Sequence, residues 1–404
     1  MNICFLIWSP DISGGTNVIF EHATRLKQMG EDVTIITEQT VCETRLKWFP
    51  GADELEWKTY SDIENETFDI CIATWWRTVF SLKKVNARHY LYFVQSIESK
   101  FYHESEVILR NLVELTYSLD LTIITEATWI QKYLSEHYGK QAYLVKNGIR
   151  KEYFNREVKP ITPPLKDKLR VVVEGPLGVP FKNTELALDL VNESNADEVW
   201  LLTSTEIAAY PKVDKLFSRV PISDVAKIYN SCDVLVKLST VEGMFGPPLE
   251  IFHCGGTSIS YDVTGYDEYI VDGENALVSY SRENADIIDK INRLKRDKDL
   301  LQKLKMNASV TASNWPDWSE SSNNFRVVLL EINKEMSKQD ISVIGKIADL
   351  NFSSYEESLK LTNKNVENKN SLERSVVAYI YTHFPRVFTI LRKVKWTAKA
   401  LLWK

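Results

Sequence analysis

The chain has 404 residues, 44% of them hydrophobic and 26% charged, the balance of a globular protein long enough for two or three domains. Its net charge of −6 is unevenly spread: residues 341–404 hold 11 Lys and Arg against 5 Asp and Glu, so the first 340 residues carry −12. An acidic body excludes a general nucleic-acid binder, which needs clustered cations against phosphate. The five cysteines, Cys4, Cys42, Cys71, Cys232 and Cys254, include no C-x-x-C pair, so buried thiols in a reducing compartment are expected rather than disulfides or a metal site. No stretch reaches the roughly 20 apolar residues of a transmembrane helix, and the N-terminus lacks the basic region of a signal peptide. A cytoplasmic protein, at most peripheral to a membrane, is the expectation.

Strand-like and helix-like segments alternate along the chain. Ile3–Trp8 reads as a buried strand, followed by a polar loop holding Gly14 and Gly15. Asn17–Met29 reads as a helix closed by Gly30, and Val33–Thr37 as a second strand. Further strands are expected at Phe68–Ala73, Tyr90–Val94, Leu121–Thr125 and Ala142–Val145, with a helix from about Ala127 to Tyr138. Asn147-Gly148 breaks the pattern, and the three prolines of Val158–Leu165 read as a hinge. A second α/β series has strands at Leu169–Val173, Glu198–Leu202, Asp233–Leu238, Thr257–Tyr261 and Ala276–Ser279. Its helices are expected at Thr184–Val191, Val225–Ser231, Pro248–Cys254 and Asn284–Leu294, with another from Trp318 to about Met336. Near-continuous Val, Ile and Leu in these strands fit parallel sheets covered on both faces. The expected fold class is therefore α/β, with one Rossmann-like domain over 1–157, a second over 166–316, a closing helix over 317–340 and an extension over 341–404.

The segment Val241-Glu242-Gly243-Met244-Phe245-Gly246-Pro247-Pro248-Leu249-Glu250 joins a strand to a helix. Its glycines let backbone approach a ligand, and the unpaired N–H groups of a helix start attract anions. Pro247 and Pro248 suit a first turn. A diphosphate would rest on the amides of Phe245 and Gly246, with Glu242 and Glu250 holding hydroxyls.

Glu242-x7-Glu250 with its embedded Gly-Met-Phe-Gly-Pro resembles the donor-site motif of family 4 retaining glycosyltransferases, which have the GT-B fold. Asp233-Val234-Leu235-Val236, Gly265-x-x-Glu268, Asp272-Gly273 with Leu277-Val278, and Asn147-Gly148-Ile149 resemble its flanking segments, in register over residues 1 to 336. The resemblance implies two Rossmann-like domains facing across a cleft and transfer of a sugar from a nucleotide-diphosphate donor to a glycan or lipid-linked acceptor. It implies catalytic roles for Glu242 and Lys182, and donor binding by Gly14, Gly15, Gly175, Gly243, Met244, Phe245, Gly246 and Glu250. Gly14-Gly15 corresponds to a glycine-rich loop in which positive φ is expected. In Glu174-Gly175-Pro176, Pro176 stands where the family carries an arginine, leaving Lys182 from the usual pair of cations. Val94-Gln95-Ser96-Ile97-Glu98 resembles a segment of rhamnosyltransferase-like members, which implies acceptor contacts for Gln95 and Glu98; glutamine cannot serve as a general base. The histidines show no metal spacing, and Asp297-x-Asp299 reads as a solvated helix face, so no metal and no cofactor are expected. Glu242→Ala is expected to abolish transfer with little change in melting temperature. A non-catalytic subunit of the same fold, favoured by Pro176, and a sugar-nucleotide epimerase are the alternative readings.

After Met336 the chain turns polar, and Thr362–Asn370 reads as a linker. Residues 372–404 are basic and aromatic; Val387, Ile390, Leu391, Val394, Ala398 and Leu401 share a helical face, with Arg392, Lys393, Lys395 and Lys399 off it. That pattern resembles an interfacial helix on an anionic membrane, although Trp396 and Trp403 point away from the apolar face.

Overall fold

A computed structural model describes residues 1–164, 167–336 and 339–361. Seven parallel strands form the first sheet: β1 (Asn2–Leu6), β2 (Asp32–Thr37), β3 (Glu56–Thr59), β4 (Phe68–Ala73), β5 (Ala87–Val94), β6 (Thr122–Thr125) and β7 (Ala142–Leu144), in the order β3-β2-β1-β4-β5-β6-β7. Six more form the second: β8 (Arg170–Glu174), β9 (Glu198–Thr203), β10 (Lys215–Ser218), β11 (Val234–Lys237), β12 (Thr257–Tyr261) and β13 (Leu277–Ser279), in the order β10-β9-β8-β11-β12-β13. In both, strand order reverses beside the first strand, and the crevice at such a switch point is where ligands of open α/β sheets bind.

Helices cover both faces of each sheet. In the first half they are α1 (Gly14–Gln28), α2 (Trp76–Val79), α3 (Val107–Ser118) and α4 (Thr128–Tyr138). The second half has α5 (Thr184–Glu193), α6 (Ile222–Tyr229), α7 (Gly246–His253), α8 (Asn284–Arg296) and α9 (Lys298–Asn314), before α10 (Trp318–Lys334). Each sheet is sandwiched by two apolar clusters. Double coverage explains why Val171, Val172 and Val173 are consecutive and all fully buried.

After the second sheet the chain crosses back to the first half. Gly148 lies so close to Asp317 that a Cβ would stand 2.3 Å from its carbonyl carbon, and Ile149 bridges Asp317. There the chain returns to the first half, and α10 packs Trp318, Phe325, Leu329 and Ile332 into its core against α1.

Three features depart from the sequence reading. Gly14 and Gly15 are not loop but the first turn of α1, capped by Ser13 Oγ, which accepts from Thr16 N at 3.0 Å; neither has positive φ. The sequence pattern announces neither the helices α2, α3 and α9 nor the edge strands β3 and β10. Residues 341–361, within the polar stretch after Met336, form a helix, α11, which buries Ile344 in the first half's core and sets Phe352 5.5 Å from Phe80. Among the described residues no helix is long and apolar enough to cross a membrane. The linker at Thr362–Asn370 and the amphipathic pattern at 372–404 lie outside the described residues.

Candidate active site in the cleft between the sheets

The carboxyl ends of both sheets open onto one cleft of ≈ 790 Å³. From the first half it is lined by the turn after β1, the start of α1, Gln95 and Glu98 after β5, and Glu126 after β6. The second half contributes Glu174, Pro176 and Lys182 after β8, Lys237 at the end of β11, and the 241–250 segment.

Glu242 is the centre of the charge arrangement. Lys182 donates to both carboxylate oxygens, at 2.8 Å each, and Lys237 Nζ lies 3.9 Å from Oε1. Burial pushes the Glu242 carboxyl up, but Lys182 and Lys237 outweigh it and hold the group below its ordinary value. The loop bearing Lys182 is pinned over Glu242 by Thr240 N donating to Phe181 O at 2.8 Å and by Asn183 Nδ2 donating to Leu238 O at 3.0 Å. Asn183 takes φ +50°, in the left-handed region that asparagine tolerates.

Lys237 was not read from the sequence as functional. Its side chain is 3% exposed and makes an ion pair with Glu174 at 2.5 Å. Burial disfavours its charge, and Glu174 and Glu242 more than offset that, raising the amine above its ordinary value. The signal lay in the register: β8 and β11 pair Val173 with Val236, so the next residues, Glu174 and Lys237, emerge side by side. The cleft thus holds two lysines although Pro176 occupies the arginine position.

Glu250, in the second turn of α7, also lines the cleft. Burial and the charge of Glu174 push its carboxyl up to about 8, so at neutral pH it carries a proton and serves as hydrogen-bond donor as well as acceptor.

Not every residue implied by the resemblance faces the cavity in the implied way. Gly14, Gly15, Gly243, Met244 and Gly246 line it, while Gly175 and Phe245 do not. The Phe245 ring is fully buried in the second half's core, and the Gly246 amide donates to Met244 O at 2.9 Å. Gly175, at φ +153°, abuts Thr184 Oγ1, which a Cβ would approach to 2.4 Å. Gln95 and Glu98 both line the cleft. The Glu98 carboxylate is 3% exposed and accepts from Trp76 N at 2.8 Å and Tyr92 Oη at 3.0 Å; burial raises it to about 8. It therefore braces α2 against β5.

The two halves touch through the same segment. Glu126 accepts from Met244 N at 2.9 Å and from Asn147 Nδ2 at 2.8 Å, and burial raises its carboxyl to about 7. Trp129 Nε1 donates to Gly243 O at 2.8 Å. Glu268 accepts from Thr128 N at the start of α4 and pairs with Lys146 at 3.0 Å. Phe101 stacks on Phe181 at 5.1 Å. Gly243 is glycine because the opposite half is so close: a Cβ would stand 1.9 Å from Gln95 O. No group of three or more His, Cys, Asp or Glu among the described residues is arranged to hold a metal ion.

Comparison with known proteins bears on this geometry. Residues 178–310, which include Lys182, Lys237, Glu242 and Glu250, match the family model of glycosyl transferases group 1. No curated protein matches in sequence. Among solved structures, Anabaena HepE in complex with UDP and glucose is similar with a TM-score of 0.65 at 14% identity, covering 82% of this chain and 100% of that one. Sucrose-phosphate synthase from Thermosynechococcus elongatus gives 0.64 at 14% identity, covering 82% and 98%. WaaG, a glycosyltransferase involved in lipopolysaccharide biosynthesis, gives 0.62 at 12% identity, covering 81% and 99%. The match to group 1 glycosyl transferases over residues 178–310 thus falls within a chain of two Rossmann-like halves that shares the GT-B fold of these structures.

Proposed function

We propose that the protein transfers a sugar from a nucleotide-diphosphate donor to a glycan or lipid-linked acceptor, with retention of anomeric configuration, in the synthesis of a cell-surface polysaccharide or glycoconjugate. The observation that carries this reading is Glu242, held in both carboxylate oxygens by Lys182 and backed by Lys237 at the mouth of α7, inside a cleft walled by both halves. A nucleotide sugar needs positive potential at its diphosphate and hydrogen bonds that fix its ring, and this group offers both.

In this reading Lys182 and Lys237 face the diphosphate, together with the Gly243 amide and the first turn of α1 at Gly14 and Gly15. Glu242 holds the transferred sugar, and Glu250 binds the ribose. The acceptor hydroxyl attacks the anomeric carbon from the side the nucleotide leaves. The bond from that carbon to the diphosphate oxygen breaks as the bond to the acceptor oxygen forms, and the acceptor's proton passes to the departing diphosphate. No protein nucleophile, metal or cofactor takes part. Contacts from Glu126, Trp129 and Glu268 across the cleft hold the halves together and limit hydrolysis of the donor by water. We place the protein in the cytoplasm, with residues 372–404 docking on the inner face of an anionic membrane. Equal liposome co-sedimentation of the full chain and a 1–370 form would end the membrane part.

The test of the main reading is the anomeric configuration of the product, read by proton NMR coupling constants after incubation with nucleotide sugars and chelator. Retained configuration without added metal is expected; inversion, or a strict metal requirement, contradicts the proposed route.

A further inference from the structure

The first half's wall of the cleft carries an aromatic surface that the donor site does not use. Trp8, just past β1, is 57% exposed. Trp75, just past β4, stands 5.4 Å from it, edge to face. Both line the cavity that holds Lys182 and Glu242 on its opposite wall. Arg77 lies over Trp8, Trp75 and Trp76 at 5.1, 5.3 and 5.0 Å from their ring centres. Trp76 is fully buried, so the guanidinium ties the two outer rings to an anchored one. Single exposed hydrophobic residues are ordinary, but two indoles braced in place at a cleft mouth form a contact surface of low conformational entropy.

Polar groups border the rings. Gln95, just past β5, donates from Nε2 to Thr74 O at 3.4 Å, next to Trp75; among the described residues its Oε1 has no donor, nor has Asn17 Oδ1 on α1. Both side chains line the cleft, as do Ser9 and Ser13. A lipid chain would need a continuous apolar trough, which these polar groups interrupt. A sugar has the matching chemistry: C–H faces for indole rings, and hydroxyls for amide and serine oxygens.

We propose that Trp8 and Trp75, with Gln95 beside them and Asn17 lining the same cleft, form the acceptor subsite, and that its occupant is a pyranose ring of a carbohydrate acceptor stacked on the indoles. The proposal rests on the sugar-transfer reading and narrows its acceptor to one whose sugar, rather than its lipid or peptide part, is recognised in the cleft.

The test uses the full chain on an array of structurally defined oligosaccharides, with UDP, GDP and dTDP titrated separately by calorimetry. The wild type binds a subset of the glycans. Trp8→Ala and Trp75→Ala each weaken that binding roughly tenfold, the loss of one aromatic contact with its buried area, and Trp8→Phe retains most of it. Glycan binding absent from the wild type, or unchanged in both alanine variants, overturns the proposal, as does Trp8-dependent binding to lipid vesicles without sugar. If glycans bind through Trp8 but none of UDP, GDP and dTDP binds the wild type, the donor assignment fails while the acceptor subsite stands.

Discussion

Replacing Lys237 with methionine separates a structural role from a role in donor binding. The amine is 3% exposed and 2.5 Å from Glu174, with Glu242 at 3.9 Å. Methionine keeps the shape and removes the charge. Removing one partner of a buried ion pair costs about 3–5 kcal/mol. Here Glu174 is 23% exposed and Glu242 keeps Lys182, so about 2–3 kcal/mol is the better figure after solvent screening. At a few degrees per kcal/mol, the melting temperature falls by roughly 5–10 °C. If Lys237 also supplies charge to a diphosphate, Lys237→Met weakens binding of whichever nucleoside diphosphate the wild type takes, UDP, GDP or dTDP, about tenfold, the loss of one charge-assisted interaction. Glu174→Gln acts the other way on the ligand: it frees Lys237 from its partner and tightens binding of that nucleotide. Melting curves and calorimetric titration of both variants read the two effects apart. A lowered melting temperature with affinity for that nucleotide unchanged in both would show Lys237 to be structural and refute its place in the donor site.

Other consequences follow from the same geometry. Glu242→Ala abolishes transfer, but it also strips Lys182 of its partner and removes one of the two carboxylates near buried Lys237. The melting temperature therefore drops by several degrees instead of holding steady as the sequence suggested, which a thermal scan checks. Gly243→Ala wedges a methyl group against Gln95 O and Glu126. It should leave each half folded, cut the turnover number by more than tenfold and enlarge the radius of gyration in small-angle scattering; wild-type turnover would show that the halves need not approach this closely. Glu98 has a folded value of about 8 against an ordinary 4.5. Between those values the folded chain keeps a proton that the unfolded chain has released. Stability is thus lost as pH rises through that window, by about 1.4 kcal/mol per pH unit for one proton. Glu98→Gln, which mimics the protonated acid, flattens the decline of melting temperature between roughly pH 5 and 8; an unchanged slope would mean that Glu98 is ionised in the fold.

The parallel sheets were legible because double burial writes itself as runs such as Val171–Val173. The motif at Glu242–Glu250 was legible because loop glycines, first-turn prolines and two carboxylates fall within ten residues. The helix α9 was missed because only Asp297 separates it from α8, and its polar stretch reads as a continuation. Lys237 was missed because a lysine closing a strand looks solvated, and its partner lies 63 residues away. Gly14 and Gly15 were placed in a loop because glycine weakens a helix interior; at the first two positions after a serine cap that cost is small. The cross-cleft bonds of Glu126 and Glu268 join residues more than a hundred positions apart, and nothing local announces them.

The central claim is that Glu242, Lys182 and Lys237 at the mouth of α7 receive a nucleotide sugar. It is tested most directly by nucleotide release from a panel of UDP-, GDP- and dTDP-sugars, run on the wild type and on Glu242→Gln. Release from donors of one nucleotide by the wild type, lost in the variant, is the predicted result. Release that survives Glu242→Gln, or none from any donor, would contradict it.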